Sequence, residues 1–232
     1  MYDLVSLGEV MLRMAPPKYE RLQRMRQLDV EVAGAQLNVA ANMARFGKNS
    51  AFLSRLPDNA LGVLAYDTCA AYGVDMQHVK IVAEGRMGIN FLEFTATPRV
   101  GVTIFDRRGS AASTINVSDF DWEGIARQSR IFHTDGIMPG LSSTCREATL
   151  VYLRAARDAG CITSFDVNYR EHLWTAETAR ECWEQVLPLV DVVVTSRSVS
   201  ETVFGFGGTD AEIMQQYQAH FGHRLVCLTH RK

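Results

Sequence analysis

Six short apolar runs recur along the chain with helical stretches between them, and this alternation limits the fold more than any single motif. The runs are YDLVSLG at 2–8, SAFLSR at 50–55, RIFHTD at 130–135, CITSFDV at 161–167, VDVVVTS at 190–196 and RLVCLT at 224–229. Helices are expected between them. Asn38 to Phe46 places Val39, Met43 and Phe46 on one face and meets Gly47 as a stop. Asn59 to Tyr72 sets Leu61, Leu64 and Thr68 in register ahead of Gly73. Arg146 to Ala159 repeats apolar side chains at Ala148, Val151, Tyr152, Ala155 and Ala159, and Gly160 closes it. Thr175 caps a further helix, and Thr209 with Glu212 forms a capping box for one that carries Ile213 and Tyr217. Strands alternating with helices imply crossover units and a parallel sheet. VDVVVTS and RLVCLT are nearly all apolar, as strands covered on both faces must be. The expected fold class is α/β, a central parallel sheet flanked by helices.

Two stretches depart from this pattern. Leu12 to Val32 carries no good helix, and Met87 to Phe105 reads as two strands around a Pro-containing turn. We expect a small sheet set apart from the main one, its strands within 10–33 and 87–108. It would serve as a flap over a cleft or as an edge extension. The whole of 1–232 is read as a single α/β domain that includes this small sheet.

Composition removes several classes of function. The net charge of -2 gives no basic field for nucleic acid, and Glu20 and Asp29 dilute the cluster of Lys18, Arg21, Arg24 and Arg26. Five scattered cysteines without C-x-x-C spacing suit neither a disulfide framework nor a zinc site. MYDLVSLGEV has no basic segment ahead of a long apolar one, and no run approaches the roughly 18 apolar residues of a membrane helix. A soluble, cytoplasmic protein without membrane or nucleic-acid partners is expected. GFGG at 205–208 is not a dinucleotide fingerprint, which makes a nucleotide-dependent oxidoreductase remote; His133 inside a strand reads as a core residue.

Polar residues gather where such sheets bind ligands, beyond the carboxyl ends of the strands. The endings are Gly8-Glu9, Thr134-Asp135-Gly136, Asp166 to Arg170, and Thr195-Ser196. Gly34 permits close backbone approach to a ligand, and Asn38, at the expected helix start, can cap backbone N–H groups or reach a hydroxyl. Arg107 and Arg170 can each hold a carboxylate or phosphate through paired bonds, and both can face one cleft.

GE at 8–9, AGAQLNVAANMARFG at 33–47, PDNALG at 57–62, YGVD at 72–75, RRGSA at 107–111 and DVNYREHLW at 166–174 together resemble the ribokinase-like (PfkB) carbohydrate kinases. DVNYR followed by LW is most similar to the 2-keto-3-deoxygluconate kinase branch. The resemblance implies a ribokinase-like sheet with a β lid, a homodimer through that lid, and phosphoryl transfer from ATP, with Mg²⁺, to a hydroxyl of a sugar or sugar acid. It implies that Gly34, Asn38, Asn90, Phe105, Arg107 and Arg170 contact the sugar, and that Asn168, Ser196 and Thr229 lie toward the nucleotide. Asn90 and Phe105 stand where that branch often has tyrosines.

Two departures accompany the resemblance. Ser196-Arg197-Ser198-Val199 occupies the place of the family's N-x-x-E motif, with Glu201 off register. The family's G-A-G-D motif, which holds the anion hole and the catalytic Asp, does not occur; that Asp is expected beyond Lys232. A missing general base costs roughly 10²–10⁴-fold in rate, so the 232 residues alone are expected to be inactive. A non-catalytic sugar-binding or regulatory module is the alternative. The exposed edge left by RLVCLT is expected to make the chain oligomeric or prone to aggregate.

Overall fold

The computed structural model describes residues 1–230. Its strands are β1 (Tyr2–Leu7), β2 (Met11–Ala15), β3 (Asp29–Ala33), β4 (Ser50–Leu53), β5 (Arg55–Pro57), β6 (Lys80–Val82), β7 (Gly88–Glu93), β8 (Val102–Asp106), β9 (Ser129–Asp135), β10 (Ile162–Asp166), β11 (Val192–Ser196) and β12 (Leu225–Thr229). The helices are α1 (Ala35–Arg45), α2 (Ala60–Ala71), α3 (Trp122–Arg127), α4 (Ile137–Leu141), α5 (Ser143–Asp158), α6 (Ala176–Val186), α7 (Arg197–Val199) and α8 (Asp210–Phe221).

All six predicted runs are strands of one sheet, in the order β12-β11-β10-β9-β1-β4, and every pairing in it is parallel. Hydrophobic side chains of β1 point alternately to its two faces. Val5 and Leu7 enter a core with Phe132, Tyr152 and Trp183, while Leu4 joins Leu37, Phe52 and Cys69 under α1 and α2. The chain leaves β1 in both directions, to β4 on one side and through β9 outward to β12 on the other. That reversal is the topological switch point at which open α/β sheets take ligands. The register brings Asp135 beside Asp166 and Ser196 beside Thr229, so these polar ends share one rim.

The small sheet is four-stranded, β3-β2-β7-β8, with β2 and β7 parallel and the outer pairs antiparallel. Asn90 of β7 sits directly opposite Phe105 of β8.

Two helices present faces other than those expected. Gly34, not Asn38, caps α1, and the helix buries Gln36, Leu37 and Ala40 while Phe46 is 78% exposed. In α2 the buried positions are Gly62, Ala65 and Cys69, and Leu61, Val63 and Leu64 face outward. Small residues win this face because the helix lies hard against β5: a Cβ on Gly62 would overlap the Pro57 carbonyl oxygen. Later helices follow their signals. Asn59, Thr175 and Thr209 accept from backbone N–H groups of the first turns, and Glu212 completes the capping box with Thr209. Among the described residues no helix is long and apolar enough to cross a membrane.

Candidate active site

Two polar groups of residues meet above the rim of the main sheet. One lies at the junction of the two sheets. Gly8, Glu9 and Val10 carry the chain from β1 to β2, and Glu9 is only 3% exposed. Its carboxylate accepts from Arg107 Nε at 2.9 Å, from Arg107 Nη2, and from Ser110 Oγ at 2.6 Å. Arg107, just past β8, is 6% exposed, so this is a buried ion pair spanning the two sheets. Arg107 Nη1 has no hydrogen-bond partner among the described residues. Gly34 closes the junction, since a Cβ there would stand 2.7 Å from the Glu9 carbonyl oxygen. Asn90 is buried in β7, and its Oδ1 has no partner among the described residues. A buried acceptor left empty costs about 1–3 kcal/mol, which a ligand hydroxyl would recover.

The second group lines a cleft of about 820 Å³ beyond β10, β11 and β12. Asn168, Arg170, His172, Ser196 and Thr229 all border it. Asp166 and Asn168 of its lining connect inward to the buried Asp135. Asp135, fully buried, accepts from the backbone of Ile137 and Met138 and from Asn168 Nδ2 at 2.7 Å. Burial pushes its pKa up to about 7, opposed by the Asn168 bond and reinforced by Asp166. Burial also raises Asp166, while Arg170 draws it down. Asn168 bends at φ 37°, in the left-handed region, and its N–H donates to Asp166 Oδ1. Asn168 therefore reaches the cleft from a strained turn with its amide nitrogen already committed to Asp135. Ser196 Oγ accepts from Val199 N–H, and Thr229 Oγ1 donates to the Thr195 carbonyl. Arg197 is tied to Glu201 and Asp210.

A ring stack joins the two groups. Phe105 lies on His172 with centroids 4.4 Å apart and planes 11° apart, and the Arg107 guanidinium sits 5.7 Å from the Phe105 centroid. Burial lowers the His172 pKa, and the charges of Arg107 and Arg170 lower it further, so both guanidiniums act on one ring. Gly34, Asn90, Phe105 and Arg107 belong to the junction and the small sheet, and Arg170 lines the neighbouring cleft with Asn168, Ser196 and Thr229. Asn38 is exposed one turn into α1, and its carbonyl accepts from Asn42 Nδ2. Glu9 and Asp135 entered the sequence reading only as polar strand endings, and Ser110 and His172 only within longer motifs, with no role given to any of the four. His133 is buried against Ser164, with its pKa pushed down to about 4 by burial.

The pfkB family carbohydrate kinase profile matches residues 1–230. The chain is 34% identical to a 2-dehydro-3-deoxygalactonokinase of Haloferax volcanii, over 98% of this chain and 71% of that protein. The crystal structure of a 2-dehydro-3-deoxygluconokinase from Thermotoga maritima superimposes with a TM-score of 0.95 and 33% identity, over all of this chain and 72% of that one. A PfkB protein from Polaromonas sp. superimposes with a TM-score of 0.92 and 28% identity, over 99% of this chain and 76% of that one. Matched by the family over 1–230 and superimposed on solved relatives along almost all of its length, the chain belongs to the pfkB family of carbohydrate kinases.

Proposed function

We propose that the protein is the sugar-binding part of an ATP-dependent kinase for a 2-keto-3-deoxy sugar acid. The observation that carries this reading is geometric: the Arg107 guanidinium sits 5.7 Å from the Phe105 ring, Phe105 stacks on His172, and His172 and Arg170 both line the cleft. Arg170 has no carboxylate within ion-pair distance among the described residues, and Arg107 keeps Nη1 free of protein partners there. Two guanidiniums with open donors fit a planar carboxylate through charge-assisted bonds, each contributing about 1.5–3 kcal/mol. Asn90 Oδ1 offers an acceptor for a sugar hydroxyl, and Gly34 lets the ligand approach the backbone of α1.

The cleft beside this junction has the volume of a small-molecule site, and its polar wall of Asn168, Ser196 and Thr229 suits the nucleotide. Among the described residues no three acidic, His or Cys groups converge on a metal. Oxygen donors do line the cleft at Asp166 and Glu201, which fits Mg²⁺ that arrives on phosphates and keeps most of its water. Bound there, Mg²⁺ would offset the negative charge of the phosphates. This chain's own residues orient the sugar acid, hold the carboxylate and exclude water beneath the small sheet. Cytoplasmic residence fits a nucleotide-dependent enzyme of small metabolites. Val30, Val102 and Ile104 of the small sheet are exposed, which supports a homodimer through that sheet.

The test is equilibrium binding of 2-keto-3-deoxygluconate and of fructose to the chain. Binding of the acid at least tenfold tighter than the neutral sugar, lost in Arg170→Ala, is expected. Equal affinity for the two would refute the assignment.

A further inference from the structure

The loop after β10 carries His172 across to the small sheet. Its ring lies flat on Phe105, a residue of β8, rather than on anything from its own loop. Around it stand Arg107 from the small sheet, and Arg170 and Glu171 from its own loop. Arg107 is in turn paired with Glu9, and Arg170 lies near Asp166. His172 also borders the cleft. Arg170 and His172 thus border one cleft, the buried Arg107 guanidinium sits next to Phe105, and an aromatic stack holds the His172 ring in place.

We propose that His172 is a specificity-determining residue for acidic substrates, held by Phe105 beside the two guanidiniums so that an incoming carboxylate gains a third cationic contact and a neutral sugar does not. This rests on the carboxylate reading of Arg107 and Arg170 given above. In the free protein desolvation, and after it the positive fields of Arg107 and Arg170, disfavour the protonated ring. A carboxylate between the guanidiniums cancels those fields. The ring then takes one proton from solvent, keeps it on nitrogen, and as an imidazolium donates a hydrogen bond to a carboxylate oxygen. A ligand without that charge leaves the guanidinium fields in place and the ring unprotonated. Glu171, exposed at the rim, pulls the same ring toward protonation and sets how small a change suffices. Acid binding should therefore consume a fraction of a proton per site, and its affinity should fall as pH rises through neutrality.

The experiment is calorimetric titration of the chain with 2-keto-3-deoxygluconate at pH 6.5, in two buffers of different protonation enthalpy, with fructose as the neutral comparison. Net proton uptake with the acid alone is expected, and acid affinity should weaken by up to about tenfold per pH unit between pH 6 and 8. His172→Phe keeps a ring to stack on Phe105, and His172→Gln removes it; both should bind the acid without proton uptake and with a flat pH dependence. Uptake that is zero in the wild type, or unchanged in both variants, overturns the role of His172 and leaves the carboxylate reading standing. Failure of the acid to bind more tightly than fructose to the wild type overturns both.

Discussion

Replacing Glu9 by Gln keeps the shape of the side chain and removes its charge, leaving Arg107 as an uncompensated cation with 6% of its surface exposed. Glu9 accepts two bonds from that guanidinium and one from Ser110, and no other acidic group lies within ion-pair distance of Arg107 among the described residues. Breaking a buried pair from one side costs about 3–5 kcal/mol. A domain of this size has about 5–15 kcal/mol of stability in all, so Glu9→Gln should forfeit a large share of it. At about 2–4 °C per kcal/mol, the melting temperature should fall by roughly 6–20 °C. Urea titration followed by tryptophan fluorescence reads the change directly, since Trp122, Trp174 and Trp183 are all buried. The double variant Glu9→Leu/Arg107→Leu separates charge from fold. It should recover most of the lost stability, because apolar replacement of a buried pair is often neutral, yet it should not bind a sugar acid. A loss under about 1 kcal/mol for Glu9→Gln would mean that the pair behaves as a surface one, and the junction would no longer count as buried machinery.

Two further outcomes follow from the geometry. Asp135 titrates near 7 when folded against an ordinary 3.8, so between those values the folded protein keeps a proton that the unfolded chain has lost. Its contribution to stability is complete below the lower value and disappears as pH rises through the upper one. From pH 5 to pH 8 the wild type should lose about 2–3 kcal/mol more in urea titrations than Asp135→Asn, and equal losses would refute the buried acid. In Gly34→Ala the new methyl would sit 2.7 Å from the Glu9 carbonyl oxygen and 3.2 Å from Leu37 Cβ, in an extended backbone that strains no side chain. Crowding alone should cost about 1–3 kcal/mol in the same assay and weaken sugar-acid binding; an unchanged midpoint and affinity would show that the junction yields.

The strands of the main sheet, though not their order, were legible because they are nearly pure apolar runs separated by helices with orthodox stops, such as the left-handed Gly73, Gly160 and Gly222. Local chemistry announced Thr209 with Glu212, since both members of a capping box lie within four residues. Burial of helix faces was less legible. Leu61 and Leu64 are the stronger hydrophobes, but contact with the sheet requires the small Gly62, Ala65 and Cys69, and periodicity weighted by hydrophobicity selects the wrong stripe. Asn38 looked like a cap because Asn is a good one; Gly34 took the position through its close approach to Glu9, which no local pattern encodes. Of the site, Arg107, Arg170 and Asn168 stood out as charges or amides at element ends. Their partners did not: Glu9 and Arg107 are separated by 98 positions, and Asp135 and Asn168 by 33. Phe105 and His172 meet only because β8 and the loop after β10 converge in space.

The passage from β1 to β2 takes three residues, Gly8, Glu9 and Val10, and the middle one grips the far end of the small sheet through Arg107 and Ser110. So short a tether cannot let that sheet slide; any excursion has to be a tilt, with Glu9 at the pivot. The hinge pin and the anchor of the Arg107 guanidinium are then a single carboxylate, so a tilt of the small sheet would re-aim that guanidinium.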